Sequence, residues 1–145
     1  MVNRPYRWYH HITLNAYWFG VSFMWNALHP IVLPVLVLSL APESAKNTSY
    51  GLLTFAGLVV AAVVQPISGS LSDYTHHRLG RRRPWILAGT AASLLCLVGL
   101  AVGGTFWVIA ASYVLLQCCS NVAHGPAQGL MRDAVPSGRR GPASG

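Results

Sequence analysis

A chain of 145 residues that is 53% hydrophobic and only 9% charged has too little charge to coat a soluble domain, where about a quarter of residues are charged. Residence in a bilayer is the expectation, as a multi-pass protein of the cell membrane. The net charge of +7 would point to nucleic acid in a soluble protein, but nine of the ten basic residues are arginines outside the apolar runs, so membrane topology accounts for them and no nucleic-acid partner is expected.

A membrane-spanning helix needs about 20 mostly apolar residues. Residues 12–40 are the first candidate, a long run interrupted by Pro30 and Pro34. Membrane helices tolerate proline and often kink there. Asn15, Ser22, Asn26 and His29 are spaced by seven, four and three, so they share one helix face. The run is too long for a signal-peptide core and lacks a small-residue cleavage site, so no cleavable signal is expected.

A short connection with Glu43 and Lys46 leads to the second span, residues 50–72. Gly57, Ala61, Gln65, Gly69 and Asp73 lie four apart. Small residues at this spacing let two helices approach closely, so this face is expected to be a packing seam ending in a charge. The loop from Gly69 to Pro84 holds Asp73, Arg78, Arg81, Arg82 and Arg83, five of the thirteen formally charged residues.

The third span is residues 85–103. Its polar groups are Thr90, Ser93 and Cys96, small enough to bond their own helix backbone. A peripheral, lipid-facing helix is expected. Gly103, Gly104 and Thr105 then make an uncharged turn into the fourth span, residues 106–130. There Tyr113, Gln117, Asn121, His124 and Gln128 recur at four, four, three and four, again one face.

Unpaired amides facing lipid cost several kcal/mol, so both polar stripes should face protein or water. Two readings stay open: interhelical hydrogen bonding with no ligand, or a water-filled cavity for a polar solute. The size of the stripes favours the cavity, and intramembrane polar groups are functional candidates by default. Asn26, His29, Tyr113, Gln117, Asn121 and His124 are the substrate-cavity candidates. Amides both donate and accept, which suits sugar hydroxyls, and two readings stay open for Trp18 and Trp25, stacking on a sugar ring or facing lipid.

Cys96, Cys118 and Cys119 all sit inside apolar runs and are expected to be packing residues. A metal site from Cys118, Cys119 and His124 has poor geometry, because neighbouring helix residues project about 100° apart. No metal, no cofactor and no enzymatic activity are expected.

Cytoplasmic loops carry excess Lys and Arg. Arg4 and Arg7, Arg78 with Arg81 to Arg83, and Arg132, Arg139 and Arg140 fall on one side of a four-span topology, against Lys46 on the other. Both termini are therefore expected in the cytoplasm. Tyr6, Trp8, Tyr9, Tyr74, Trp85 and Trp107 fall near span ends, as an interfacial aromatic belt does.

The loop Gly69-x-x-x-Asp73, followed after six residues by Gly80-Arg81-Arg82-Arg83-Pro84, resembles the signature between the second and third helices of the major facilitator superfamily. Its longer spacing is similar to that of the glycoside–pentoside–hexuronide:cation symporters and the sucrose-transporter-like branch. The run Asn121-x-x-x-Gly125-Pro126-Ala127-x-x-Leu130-x-x-Asp133 is similar to that branch as well. Tyr74 departs from the pattern, which often has a basic residue after the Asp.

The resemblance implies an all-α membrane fold, with four transmembrane helices from the N-terminal six-helix half of a facilitator. It implies a cavity lined by the first and fourth helices with the third outside. Gly69, Asp73, Gly80, Arg81 and Arg82 would form a conformational latch, with Arg82 a weaker match than Arg81. Asp133 is the possible coupling residue. The family has twelve helices, so the chain reads as an N-terminal fragment, residues 1–145 being a partial transporter domain whose partners include the missing remainder. The implied function is that of a cation-coupled sugar or glycoside symporter working by alternating access, with a proton or sodium as coupling ion. The alternatives are a facilitator of another solute, such as a drug or organic acid, and a stand-alone four-helix membrane scaffold or subunit.

Overall fold

Proline placement governs the first span. The structure, a computed structural model, describes residues 9–134, with only the backbone described at 9–14 and 131–134. The span begins as α1 (Tyr9–Ala27), passes through a π-helical turn at Leu28–Val32, and ends as α2 (Leu33–Leu40). Proline has no N–H to donate, so a helix must rearrange around it. Here the Leu33 N–H reaches back five residues to the Leu28 carbonyl. In that register Pro34 would serve the His29 carbonyl. The Tyr50 hydroxyl serves it instead, at 3.1 Å.

A short 3₁₀ turn, Glu43–Ala45, leads into α3 (Lys46–Tyr74), and Glu43 pairs with Lys46 there. α4 (Arg83–Val102) and α5 (Phe106–Ala134) complete the described chain. All four spans are long and apolar enough to cross a membrane, at Asn15–Leu40, Glu43–Tyr74, Arg83–Val102 and Phe106–Leu130. At 29 residues each, α3 and α5 are about 44 Å long at 1.5 Å per residue. That exceeds a hydrocarbon core of about 30 Å, so they tilt or project beyond it.

α5 is the central helix, packed along both α3 and α4. Two glycine-rich seams make this possible. On the α3 side, a Cβ at Gly57 would lie 2.8 Å from the Tyr113 hydroxyl, and a Cβ at Gly125 would lie 2.9 Å from the Gly69 nitrogen. On the α4 side, a Cβ at Gly89 would meet the Cys119 carbonyl at 2.7 Å. Contacts this close leave no room for a methyl group. Ser68 reinforces the first seam by donating to the Asn121 carbonyl at 3.0 Å. The outer face of α4 is open, with Leu87, Leu94, Leu95, Val98 and Val102 exposed, an apolar surface suited to lipid.

The first span packs less tightly. Leu28, Leu33 and Val37 join Leu53, Leu100, Ile109 and Leu116 in a buried cluster near the α2 end. Toward α1 a cavity of about 310 Å³ lies between that helix, α4 and α5. The first span is therefore held at a few discrete points rather than along a continuous seam.

Candidate functional site

Two groups of described residues bear on the candidate site. The first joins the first span to α5. Tyr113, Gln117 and Asn121 recur every four residues and line one face of α5. All three are buried, Tyr113 completely. Asn121 Nδ2 donates to the Gln117 carbonyl at 2.7 Å and to Gln117 Oε1 at 3.3 Å. Gln117 Nε2 donates to the Tyr113 hydroxyl at 3.0 Å. That hydroxyl lies 2.9 Å from His29 Nε2, and the imidazole stacks on Trp25 with centroids 5.0 Å apart and planes 18° apart.

The two polar stripes therefore do not meet along their whole length. His29 reaches Tyr113, while Asn26 is exposed and donates back to the Ser22 carbonyl at 2.8 Å. His124 sits edge-on to Trp18, with ring centroids 4.7 Å apart. Gln128 is exposed and lies elsewhere, in a cleft of about 550 Å³ shared with Gln65, Asp73 and Arg82. In this chain Tyr113, Gln117 and Asn121 spend their polarity on helix-to-helix and intrahelical bonds. Asn26 is exposed, and the His29–Trp25 and His124–Trp18 pairs are half-buried.

The second group is the loop between α3 and α4. Gly80 has φ of +96°, a conformation that glycine adopts without strain, and its N–H closes a turn on the His77 carbonyl at 2.9 Å. The turn brings the chain back so that Arg82 Nη2 lies 2.7 Å from Asp73 Oδ1. The Arg82 side chain is 10% exposed and Asp73 46%. The guanidinium lies over Gly129 of α5, where a Cβ would overlap it. Arg82, the weaker match by resemblance, is thus the arginine seated between Asp73 and α5. Arg81 is exposed and also makes contacts within the chain. Trp85 Nε1 donates to Thr75 Oγ1 at 2.8 Å, fastening the start of α4 to the end of α3. Gly69 packs opposite Gly125.

The side chain of Asp133 lies outside the described residues. Among the described residues no cluster of three or more His, Cys, Asp or Glu is placed to hold a metal ion. Three contributors were not singled out from sequence. Gly129 lies four residues after Gly125, a spacing that repeats the small-residue rule. Thr75 and Tyr50 carried no such signal.

The sequence matches the Major Facilitator Superfamily over residues 12–145. It is 35% identical over 147 aligned positions to a sucrose transport protein of Oryza sativa subsp. japonica, covering 85% of this chain and 26% of that protein. It is 29% identical over 130 positions to proton-associated sugar transporter A of Mus musculus, covering 79% and 17%. A membrane-associated transporter protein of Homo sapiens is 34% identical over 84 positions, covering 58% and 14%. The chain thus spans about a quarter or less of the length of these relatives. No solved structure matches it.

Proposed function

The chain belongs to the major facilitator superfamily, and we propose that the protein it forms part of is a cation-coupled sugar or glycoside symporter working by alternating access. It is a multi-pass integral membrane protein of a family of transporters, not enzymes. The observation that carries the sugar reading is the set of relatives named as sucrose and proton-associated sugar transporters. The chemistry of the first and fourth spans supports it. Their polar stripes are built from amides, imidazoles and a phenol, with no formal charge on them. Such groups suit a neutral polyhydroxylated solute, because amides can donate to and accept from hydroxyls.

In this reading both termini are cytoplasmic, which the excess of arginine on that side supports. The Asp73–Arg82 pair, with Gly69, Gly80 and Arg81, acts as a conformational latch on that side. Its position between α3, the loop and α5 supports the role. A pair seated on Gly129 links the cytoplasmic ends of three helices, and a change in the packing of α5 changes its seat. Asp133 is the coupling candidate within this chain.

Uptake of labelled disaccharide by the full-length transporter in proteoliposomes tests the reading. Accumulation driven by an imposed proton or sodium gradient is expected. No uptake across a panel of glycosides, with or without either gradient, rules it out. Asp133→Asn is expected to flatten the pH dependence of uptake, and an unaltered profile removes Asp133 from coupling.

A further inference from the structure

The hydrogen bonds running from α5 to the first span have a direction, and it fixes the protonation of one ring nitrogen. A backbone carbonyl only accepts, so the amide nitrogen of Asn121 must face the Gln117 carbonyl. The same nitrogen donates to Gln117 Oε1, which turns the Gln117 amide nitrogen toward Tyr113. Tyr113 therefore receives a hydrogen bond from Gln117. Its own single hydrogen has His29 Nε2 as the acceptor, at 2.9 Å. Tyr113 is fully buried. If His29 Nε2 carried the hydrogen instead, the phenol hydrogen would be buried with no acceptor, an arrangement proteins avoid. His29 is thus held as the tautomer with hydrogen on Nδ1.

That Nδ1–H has no hydrogen-bond acceptor among the described residues. The ring that carries it is half-buried within the first span, stacked on Trp25. It stands on the π-turn, whose carbonyl at the same residue is held by Tyr50. The backbone is anchored from α3, one ring nitrogen from α5 and one ring face from Trp25. What is left over is one donor, on a ring held by three separate contacts.

We propose that His29 Nδ1–H is the hydrogen-bond donor that meets an oxygen of the transported solute, with Trp25 beside it as an apolar wall. Tyr113, Gln117 and Tyr50 are its positioning residues. The ligand class is a neutral ring bearing hydroxyl or ether oxygens, in keeping with the proposed sugar transport, on which the identity of the solute rests. The tautomer does not rest on it.

Two measurements on the full-length transporter separate these parts. The first is nitrogen NMR of protein labelled on the histidine imidazoles and held in lipid bilayers. The His29 signal is assigned by its loss in His29→Gln. Hydrogen on Nδ1 is expected in the wild type, with the other tautomer appearing in Tyr113→Phe. Hydrogen on Nε2 in the wild type overturns the proposal whatever the protein transports.

The second measurement is the kinetics of glycoside uptake in proteoliposomes. His29→Phe is expected to raise KM about tenfold, the loss of roughly one hydrogen bond. His29→Gln, whose amide retains a donor, is expected to recover part of the loss. Tyr113→Phe is expected to raise KM with Vmax nearly unchanged, a split that general unfolding does not produce. An unchanged KM in His29→Phe overturns the recognition role even if the tautomer is as stated. If the wild type takes up no glycoside, the solute assignment falls together with the sugar reading, and the NMR result stands or falls alone.

Discussion

The Tyr50 hydroxyl donates to the His29 carbonyl at 3.1 Å, at the position where Pro34 has no N–H to offer. A helix in lipid cannot turn to water for a missing donor. The π-turn at Leu28–Val32 is therefore completed from another span. This bond is one of the few that tie the first span to α3.

Tyr50→Phe keeps the ring and removes only that donor. The His29 carbonyl is then left without its partner inside the protein. A loss of about 1 kcal/mol of stability is expected, within the range measured for leaving a buried acceptor unpaired. Thermal unfolding in detergent, followed by helical circular dichroism, measures it. Tyr74→Phe is the matched control, because Tyr74 is 80% exposed and its loss should be close to neutral. Equal melting temperatures for the two variants would show that the π-turn does not depend on Tyr50.

The α3–α5 seam predicts a contrast between two glycines. A Cβ at Gly125 would lie 2.6 Å from Ser68 Oγ and 2.9 Å from the Gly69 backbone nitrogen. Backbone atoms of a packed helix cannot step aside, so Gly125→Ala should cost about 1–3 kcal/mol, the usual range for overpacking. Gly20 sits in α1 with nothing within 4 Å of the same added atom. Gly20→Ala should be neutral or stabilising by up to about 1 kcal/mol, since alanine is the better helix former. Denaturation of the two variants side by side decides the matter, and similar values would mean that the helices do not approach as closely as described.

Asp73 and Arg82 should show energetic coupling of about 1 kcal/mol in a double-mutant cycle with Asp73→Asn and Arg82→Gln. The geometry is close, but Asp73 is nearly half exposed, so solvent screening trims the interaction toward the value of surface pairs. Raising the salt concentration should reduce it further. Arg82→Gln alone should be milder than Asp73→Asn, because the latter removes the carboxylate beside the less exposed of the two charges. The reverse order would mean that the carboxylate, not the guanidinium, depends more on the pair.

Much of this architecture is legible in the sequence because membrane helices are long and their periodicities simple. The apolar runs, and Gly57, Gly69 and Asp73 four or a multiple of four apart, place α3 against a neighbour before any coordinates. The same rule applied to Gly125 and Gly129 would have found the other half of the seam and the seat of Arg82. The fate of Tyr113, Gln117 and Asn121 is harder to read. Their spacing says that they share a face, but not whether that face meets a cavity or another helix. That depends on where His29 arrives, which depends on how Pro30 and Pro34 bend the first span. Tyr50 is a single aromatic residue near a span end, indistinguishable by pattern from an interfacial anchor.

Gly129 offers a way to disturb the Asp73–Arg82 pair without altering either charge. A Cβ there would occupy the place of the Arg82 guanidinium. The obstacle is the far end of a flexible side chain, so Arg82 moves and the helices need not. Gly129→Ala should therefore cost less stability than Gly125→Ala, whose obstacle includes backbone. Repeating the Asp73/Arg82 cycle in the Gly129→Ala background should show the coupling falling toward zero. Persistence of the full coupling would mean that the pair reforms off its seat, and that contact with α5 is incidental to it. Loss of the coupling with the fold retained would separate what this loop contributes to stability from what it contributes to linking α3, α4 and α5. In the proposed transporter, the same substitution should alter the balance between inward- and outward-facing states, read as a change in the labelling rate of a cysteine placed in the cavity.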